Sequence, residues 1–431
     1  MSLFQLNNNF QSLRESQTQQ VNLKAKKARK EGRNIYHFGL GQSPFPVGQK
    51  IKKALQENAH QKEYLPSKGL PKLCEAIAKF QNIHFNQYLN PDRIIIGTST
   101  RDLVFKMLSC LEGEVFVPTP SWLSFSELLR LKGIRINPIK TKRDNSYKIT
   151  PKDLDQAFNV SCNPQKILYF NNPNNPTGSI YNKKEVEELA EITKKHNAIV
   201  VSDEVYALIN FSKSKITSFH NCYPNGTIVA SGLSKSLGCE GYRLGFIALP
   251  EQEEKLQIAL TAMISATYSS VSAPIQYASL AAYGNNEDTL QSLENYRNIY
   301  HACSMYCYKR LKNLKIEVSK PEGTFHLFAE FSSLSKLLNA RKIYNDYDLA
   351  RELFDQKGVA TLPGTNFFYD TEKMGLRISP VDFEGEEVLI NYLELTIEER
   401  KHMAESPESF IERFCQRIQY GMDQIAYFLS L

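Results

Sequence analysis

A single tryptophan, Trp122, stands in 431 residues. Cysteine is thin as well, with eight residues and no CxxC pair. Unpaired spacing gives no disulfide framework and no thiolate metal site, so a reducing compartment is expected. Long apolar runs are missing: no stretch approaches the ~20 residues a membrane-spanning helix needs. A surplus of one charge is missing too. Lysine and arginine number 52, aspartate and glutamate 46, giving a net charge of +6. That is too small for this length to point to a nucleic-acid or membrane partner. The basic run KAKKARK (Lys24 to Lys30) reads better as a solvated helix face than as a nucleic-acid patch. The opening MSLFQLNNNF lacks the basic flank and apolar core of a secretion signal. These absences predict a cytoplasmic protein with no metal, no membrane and no nucleic acid.

What is present is a folded-protein composition, 42% hydrophobic, on a chain too long for one small core. From about Ile51, helix-like segments alternate with short apolar runs. The runs are RIIIG (93–97), EVFVP (114–118), KILYF (166–170), AIVVSD (198–203), TIVAS (227–231) and GFIAL (245–249). Each is β-branched or aromatic and bounded by turn residues, the pattern of buried strands in a mostly parallel sheet with helices between. After about Asn285 the texture changes to one long helical pattern followed by short strands around IEVSK, TFHLFAEF and LRISP. The segment from Pro407 to Leu431 reads as a closing amphipathic helix. The expected architecture is α/β: a large domain over 45–285, and a smaller α+β domain from 1–44 and 286–431.

The chemically distinctive residues follow the apolar runs, where open α/β sheets bind ligands. RIIIGTST places Thr98, Ser99 and Thr100 before a helix, a turn that suits a phosphate or serves as an ordinary N-cap. Trp122 offers a flat platform or a core side chain. NNPNNPTGS (171–179) fixes a rigid turn and presents the amide of Asn175. Asp203 and Tyr206 follow an apolar strand, where a carboxylate is costly without a cation or a strong donor. SGLSKSLGCEGYRLGF then carries Ser234, Lys235 and Arg243. A surface lysine and a solvated arginine would read the same way in isolation, as would a salt bridge at Arg377 in GLRISP. Taken in order, these residues supply what pyridoxal phosphate chemistry requires: a lysine amine, a carboxylate for the ring nitrogen, and phosphate ligands.

The combination NNPTG, SDEVY, SKxxxxxGxRxG and LRIS resembles the class I/II aminotransferases of the aspartate aminotransferase superfamily, the fold-type I pyridoxal phosphate enzymes. The resemblance runs from about Ser16 to past Arg377. It implies that Lys235 forms the Schiff base with the cofactor and shuttles the substrate proton. Asp203 would pair with the ring nitrogen, Tyr206 and Asn175 with the phenolic oxygen, and Trp122 would stack on the ring. Thr98, Ser99, Thr100, Ser234 and Arg243 would hold the phosphate. Gly41, Asn175 and Arg377 would bind the substrate, Gly41 and Arg377 at its carboxylate. Tyr64 would reach a neighbouring copy's phosphate, implying a homodimer. The implied activity moves an amino group between an amino acid and a 2-oxo acid.

Two departures stand out. Gly232 occupies a position that often carries a hydroxyl. Ser265 stands where a dicarboxylate-specific branch has an arginine, which argues against an acidic donor. Phe45, Phe125 and Tyr268 would permit a large neutral or aromatic side chain, or pack in the core. A β-elimination or 1-aminocyclopropane-1-carboxylate synthase-like lyase uses nearly the same residues. A non-catalytic sensor domain would need a DNA-binding segment ahead of Gly41, for which forty residues leave no room.

Overall fold

The computed structural model describes residues 15–431, apart from 213 and 404. The absence of a secretion signal, read from the first ten residues, and the first fourteen residues of the expected small domain lie outside that range. Among the described residues there are thirteen strands. β1 is Tyr36–His37; then follow β2 (Ile94–Gly97), β3 (Glu114–Thr119), β4 (Ile136–Lys140), β5 (Lys166–Asn171), β6 (Ile199–Asp203), β7 (Thr227–Gly232) and β8 (Gly245–Ala248). β9 (Glu317–Val318), β10 (Leu327–Glu330), β11 (Val359–Ala360), β12 (Leu362–Pro363) and β13 (Gly375–Ile378) complete the set.

Strands β2 to β8 form one seven-stranded sheet in the order β2-β8-β7-β6-β5-β3-β4. All its pairings are parallel except those of β8, which runs antiparallel to both β2 and β7. The six apolar runs are six of these strands. β4 is not among them: Pro138 interrupts its pattern, and Ile139 is its only buried residue. It sits at the sheet edge, where proline is tolerated. Buried aliphatic and aromatic side chains fill both faces of the sheet. One face gathers Leu103, Met107, Phe125 and Tyr169, the other Phe116, Leu168, Phe170 and Phe219.

A second sheet, β12-β13-β10-β9, and the β1–β11 pair lie beside it. Their core is built on the helix Glu287–Asn313, which buries Tyr296, Tyr300, Cys303, Tyr306 and Cys307. The C-terminal stretch is two helices, Glu408–Phe414 and Gln416–Ser430, not one. Cys415 adopts φ −126° and breaks them. The basic run lies on the helix Gln17–Lys30, and two of its cations are committed to partners far along the chain. Lys24 pairs with Asp355 at 3.2 Å and Arg29 with Asp382 at 2.8 Å. Asp382 also receives Arg417 at 3.1 Å, so one carboxylate ties the first helix to the last.

Candidate active site

Register brings the chemistry to one sheet edge. Asn171 pairs with Asp203 across β5 and β6, and Gly232 with Gly245 across β7 and β8. Gly97 also pairs with Gly245. Strand ends, and the loops that leave them, therefore face one cavity of about 460 Å³. Gly41, Ser99, Thr100, Trp122, Asn175, Asp203, Tyr206, Ser234, Lys235, Arg243 and Arg377 all line it. Thr98 lies one residue outside that lining. Tyr64 is 87% exposed, away from the cavity of its own chain.

Asp203 is fully enclosed on the protein side. Its Oδ2 accepts the Tyr169 hydroxyl at 2.5 Å and its Oδ1 the Val205 N–H at 3.2 Å. Burial pushes its pKa up to about 6 despite those donors. Lys235 donates to the Gly41 carbonyl and lies 3.8 Å from Glu240. Burial lowers its pKa; Glu240 opposes the shift, while Arg377, Arg101 and Arg243 reinforce it. A lysine so placed gives up its proton more readily than one in water, which a nucleophilic amine requires. Arg377 is held by the Gly39 carbonyl at 2.9 Å and the Asn175 Oδ1 at 3.2 Å. Its Nε is buried without a partner, and burial takes its pKa down to about 10. Asn171 pins the turn that presents Asn175, accepting the Asn175 N–H at 2.8 Å while donating to the Asp203 carbonyl at 3.0 Å.

Gly232 has a packing reason. A Cβ there would meet the Gly245 Cα and the Leu244 carbonyl at 3.0 Å. A Cβ on Gly245 would reach the Thr100 N at 2.4 Å. The two glycines let the Ser99–Thr100 turn sit directly on the sheet edge. At this turn the helix Thr100–Cys110 begins, capped by the Ser99 hydroxyl. A helix start with free N–H groups and a nearby arginine is an anion cradle.

Sequence reasoning missed several lining residues. Arg101, in the first turn of that helix, lies 5.0 Å from the Trp122 ring and makes no ion pair within 4 Å among the described residues, although the charge of Glu127 acts on it. Its position directly after the three hydroxyls was the available signal. Glu240 lay three residues before Arg243. Ser16, Thr18, Gln19 and Asn22 arrive from the first helix, and nothing local marks them. Phe45, Phe125 and Tyr268 are core or support residues. Phe45 stacks on Tyr296 and Phe125 on Tyr169, while the Tyr268 hydroxyl donates to Asp102.

The family model for aminotransferases of class I and II matches residues 32–393. The chain belongs to that family. It is 30% identical to the aspartate aminotransferase of Geobacillus stearothermophilus, over 83% of this chain and 90% of that one. It is 26% identical to an asparagine–oxo-acid transaminase of Streptococcus mutans, over 82% and 90%. Among solved structures it is similar to the aspartate aminotransferase of Thermus thermophilus with maleate. That match has a TM-score of 0.80 at 26% identity and covers 91% of this chain and 98% of that one. The protein is a pyridoxal phosphate-dependent aminotransferase with the fold-type I architecture.

The cavity fits that cofactor. Four cations, Arg101, Lys235, Arg243 and Arg377, face two carboxylates, Asp203 and Glu240. The surplus suits a dianionic phosphate together with a substrate carboxylate. The helix start at Ser99–Thr100, the half-satisfied Asp203 and the unpaired Arg377 Nε are the unmet bonding groups that such ligands complete. Among the described residues, no three His, Cys, Asp or Glu side chains are grouped to hold a metal ion. No helix there is long and apolar enough to cross a membrane.

Proposed function

We propose that this aminotransferase works on acidic substrates, taking the amino group from a dicarboxylic amino acid and returning it to a 2-oxo acid. The observation that carries this is Arg101. Once Arg243 meets a phosphate and Arg377 an α-carboxylate, Arg101 still lines the cavity with no ion pair there, Glu127 acting on it only at longer range. A second substrate carboxylate supplies one. The name of the Geobacillus relative, and the maleate in the Thermus structure, agree with this, whereas the Streptococcus relative is named for asparagine, a neutral donor. Ser265 lies exposed on the helix Glu254–Thr267 and does not line the cavity of its own chain.

Bound pyridoxal phosphate supplies an electron sink for the substrate's α-carbon. The chain's residues do the rest. Lys235 anchors the cofactor and, once displaced, takes the α-proton on Nζ and returns it. Asp203 keeps the ring nitrogen protonated. The Tyr206 hydroxyl and the free Nδ2 of Asn175 donate to the ring oxygen, and Trp122 covers the ring. Thr98, Ser99, Thr100, Ser234 and Arg243 hold the phosphate. Arg377 and Gly41 orient the α-carboxylate. The exposed Tyr64 serves the phosphate site of a second copy, making the working unit a homodimer. The division into 45–285 and 1–44 with 286–431, and a cytoplasmic location, complete the proposal.

The test is the visible spectrum of the loaded protein on adding each amino acid singly, without an acceptor. Loss of the band with one 2-oxo acid formed per cofactor, for aspartate or glutamate, is expected. Conversion of neutral amino acids alone would refute the acidic donor. Ammonia release without an acceptor would favour a lyase. Arg101→Met should raise KM for the acidic donor by about 10- to 100-fold and leave neutral donors unchanged.

A further inference from the structure

One buried titratable side chain beside the site has no role in the chemistry above. His326 lies just before β10 and is 0% exposed. Its Nδ1 is 2.7 Å from the Ser379 hydroxyl and its Nε2 is 3.0 Å from the Tyr206 hydroxyl. Burial drives its pKa well below the ordinary histidine value, and Arg377 and Lys235 push the same way. The ring is therefore neutral at pH 7, with one nitrogen donating and the other accepting.

Two proton arrangements exist. In the first, Nδ1–H donates to Ser379 and Nε2 accepts the Tyr206 proton. The Ser379 proton then has no acceptor among the described residues, although Ser379 is 0% exposed. The Tyr206 proton also points away from the cavity. In the second, Ser379 donates to Nδ1, Nε2–H donates to the Tyr206 oxygen, and the Tyr206 proton is free to enter the cavity. Stranding a buried donor is unfavourable, so the second arrangement holds. It also occupies a lone pair on Tyr206, making the hydroxyl a donor of fixed direction.

We propose that His326 is a positioning residue: through the relay Ser379–His326–Tyr206 it commits Tyr206 to donate to the cofactor's ring oxygen. This rests on the placement of Tyr206 beside that oxygen. The charged groups around the relay are Lys235 and Arg377 on the His326 side, with Asp203, Glu240 and Arg377 facing Tyr206. None of them bonds to His326 or to the Tyr206 hydroxyl, so none substitutes for the relay.

A donor on the ring oxygen stabilises its negative charge, and that charge is barest in the high-pH form of the bound cofactor. Losing the donor therefore raises the pH midpoint of the visible band. The measurement is that midpoint in the loaded protein, alongside cofactor affinity of the emptied protein by equilibrium dialysis. His326→Phe should move the midpoint up by about half to one pH unit and weaken cofactor binding several-fold. His326→Gln keeps an N–H within reach of Tyr206 and should restore the wild-type midpoint. Tyr206→Phe should shift at least as far as His326→Phe, and adding His326→Phe to it should change nothing further. Ser379→Ala gives a smaller shift of the same sign, and serves as the readout if His326→Phe does not fold. A folded His326→Phe protein with an unmoved midpoint overturns the relay. An unmoved midpoint in Tyr206→Phe overturns the placement of Tyr206, and the relay with it.

Discussion

Asp203 and Glu204 are adjacent in sequence, both buried, and built for opposite ends. Glu204 is saturated by the chain itself. It accepts Gln87 at 2.7 Å, the Ser202 hydroxyl at 2.7 Å and the Ser218 hydroxyl at 2.5 Å. Asp203 has one hydroxyl, one backbone N–H and an open side on the cavity. Burial raises both pKa values, and three side-chain donors oppose the rise at Glu204. A buried carboxylate whose donors all come from its own chain is architecture. One whose shell is left incomplete awaits a ligand. The strand's period of two sends the neighbours to opposite sides, so one strand end serves both purposes.

Breaking the ligand side should cost function first. Lys235→Ala is expected to reduce turnover by on the order of 10⁴-fold or more, with an unchanged thermal unfolding profile. Retained turnover would end the assignment of the reacting amine. Asp203→Asn keeps the shape and the Tyr169 bond, removes the charge, and turns its Nδ2 toward the Val205 N–H. It should lower kcat about 10²- to 10³-fold and weaken cofactor retention, read by steady-state kinetics and the visible band. Breaking the architectural side should do the reverse. Glu204→Gln turns an acceptor toward three donors into a mixed amide, so one donor is left facing another. A loss of roughly 2 to 4 kcal/mol in denaturant unfolding is expected, with kcat of the folded fraction nearly unchanged. A Glu204→Gln protein as stable as wild type would show that the comparison misreads the strand end.

The legibility of each half follows from how far its causes reach along the chain. β6 is visible because five residues suffice to show a buried β-branched run, and Asp203 because it ends that run. The rigid turn at 171–179 is visible because proline acts on its neighbours. Glu204 is anchored by Gln87 and Ser218, 117 and 14 residues away, and no local pattern announces those partners. The same holds for Asn22, brought over the cavity by a helix that Arg29 ties to Asp382, 353 residues on. His326 likewise meets Tyr206 across 120 residues. Periodicity and turn chemistry reveal strand ends. They cannot reveal which distant side chain completes a shell, and there the candidate site was underread at Arg101, Glu240 and His326.

The smallest effect is the sharpest test of the comparison, because its sign is the reverse of the usual acidic residue. The Asp203 carboxyl has an ordinary value of 3.8 and about 6 in the folded, cofactor-free chain. Between those values the folded state holds the proton more tightly than the unfolded one. The carboxyl therefore favours folding below pH 4, and that advantage is lost as pH rises toward 6. At pH 7 and above, Asp203 is a net burden on the cofactor-free protein. Asp203→Asn removes it, so the emptied variant should be more stable than emptied wild type by about 1 to 3 kcal/mol at pH 7.5. The difference should fall away near pH 4, where only the cost of turning Nδ2 toward the Val205 N–H remains. Adding pyridoxal phosphate should reverse the order, since only wild type offers a charge to the ring nitrogen. Parallel pH–stability curves for the two emptied proteins would mean that Asp203 holds its proton no more tightly in the folded chain than in the unfolded one, and that its open side carries no charge cost for a ligand to offset.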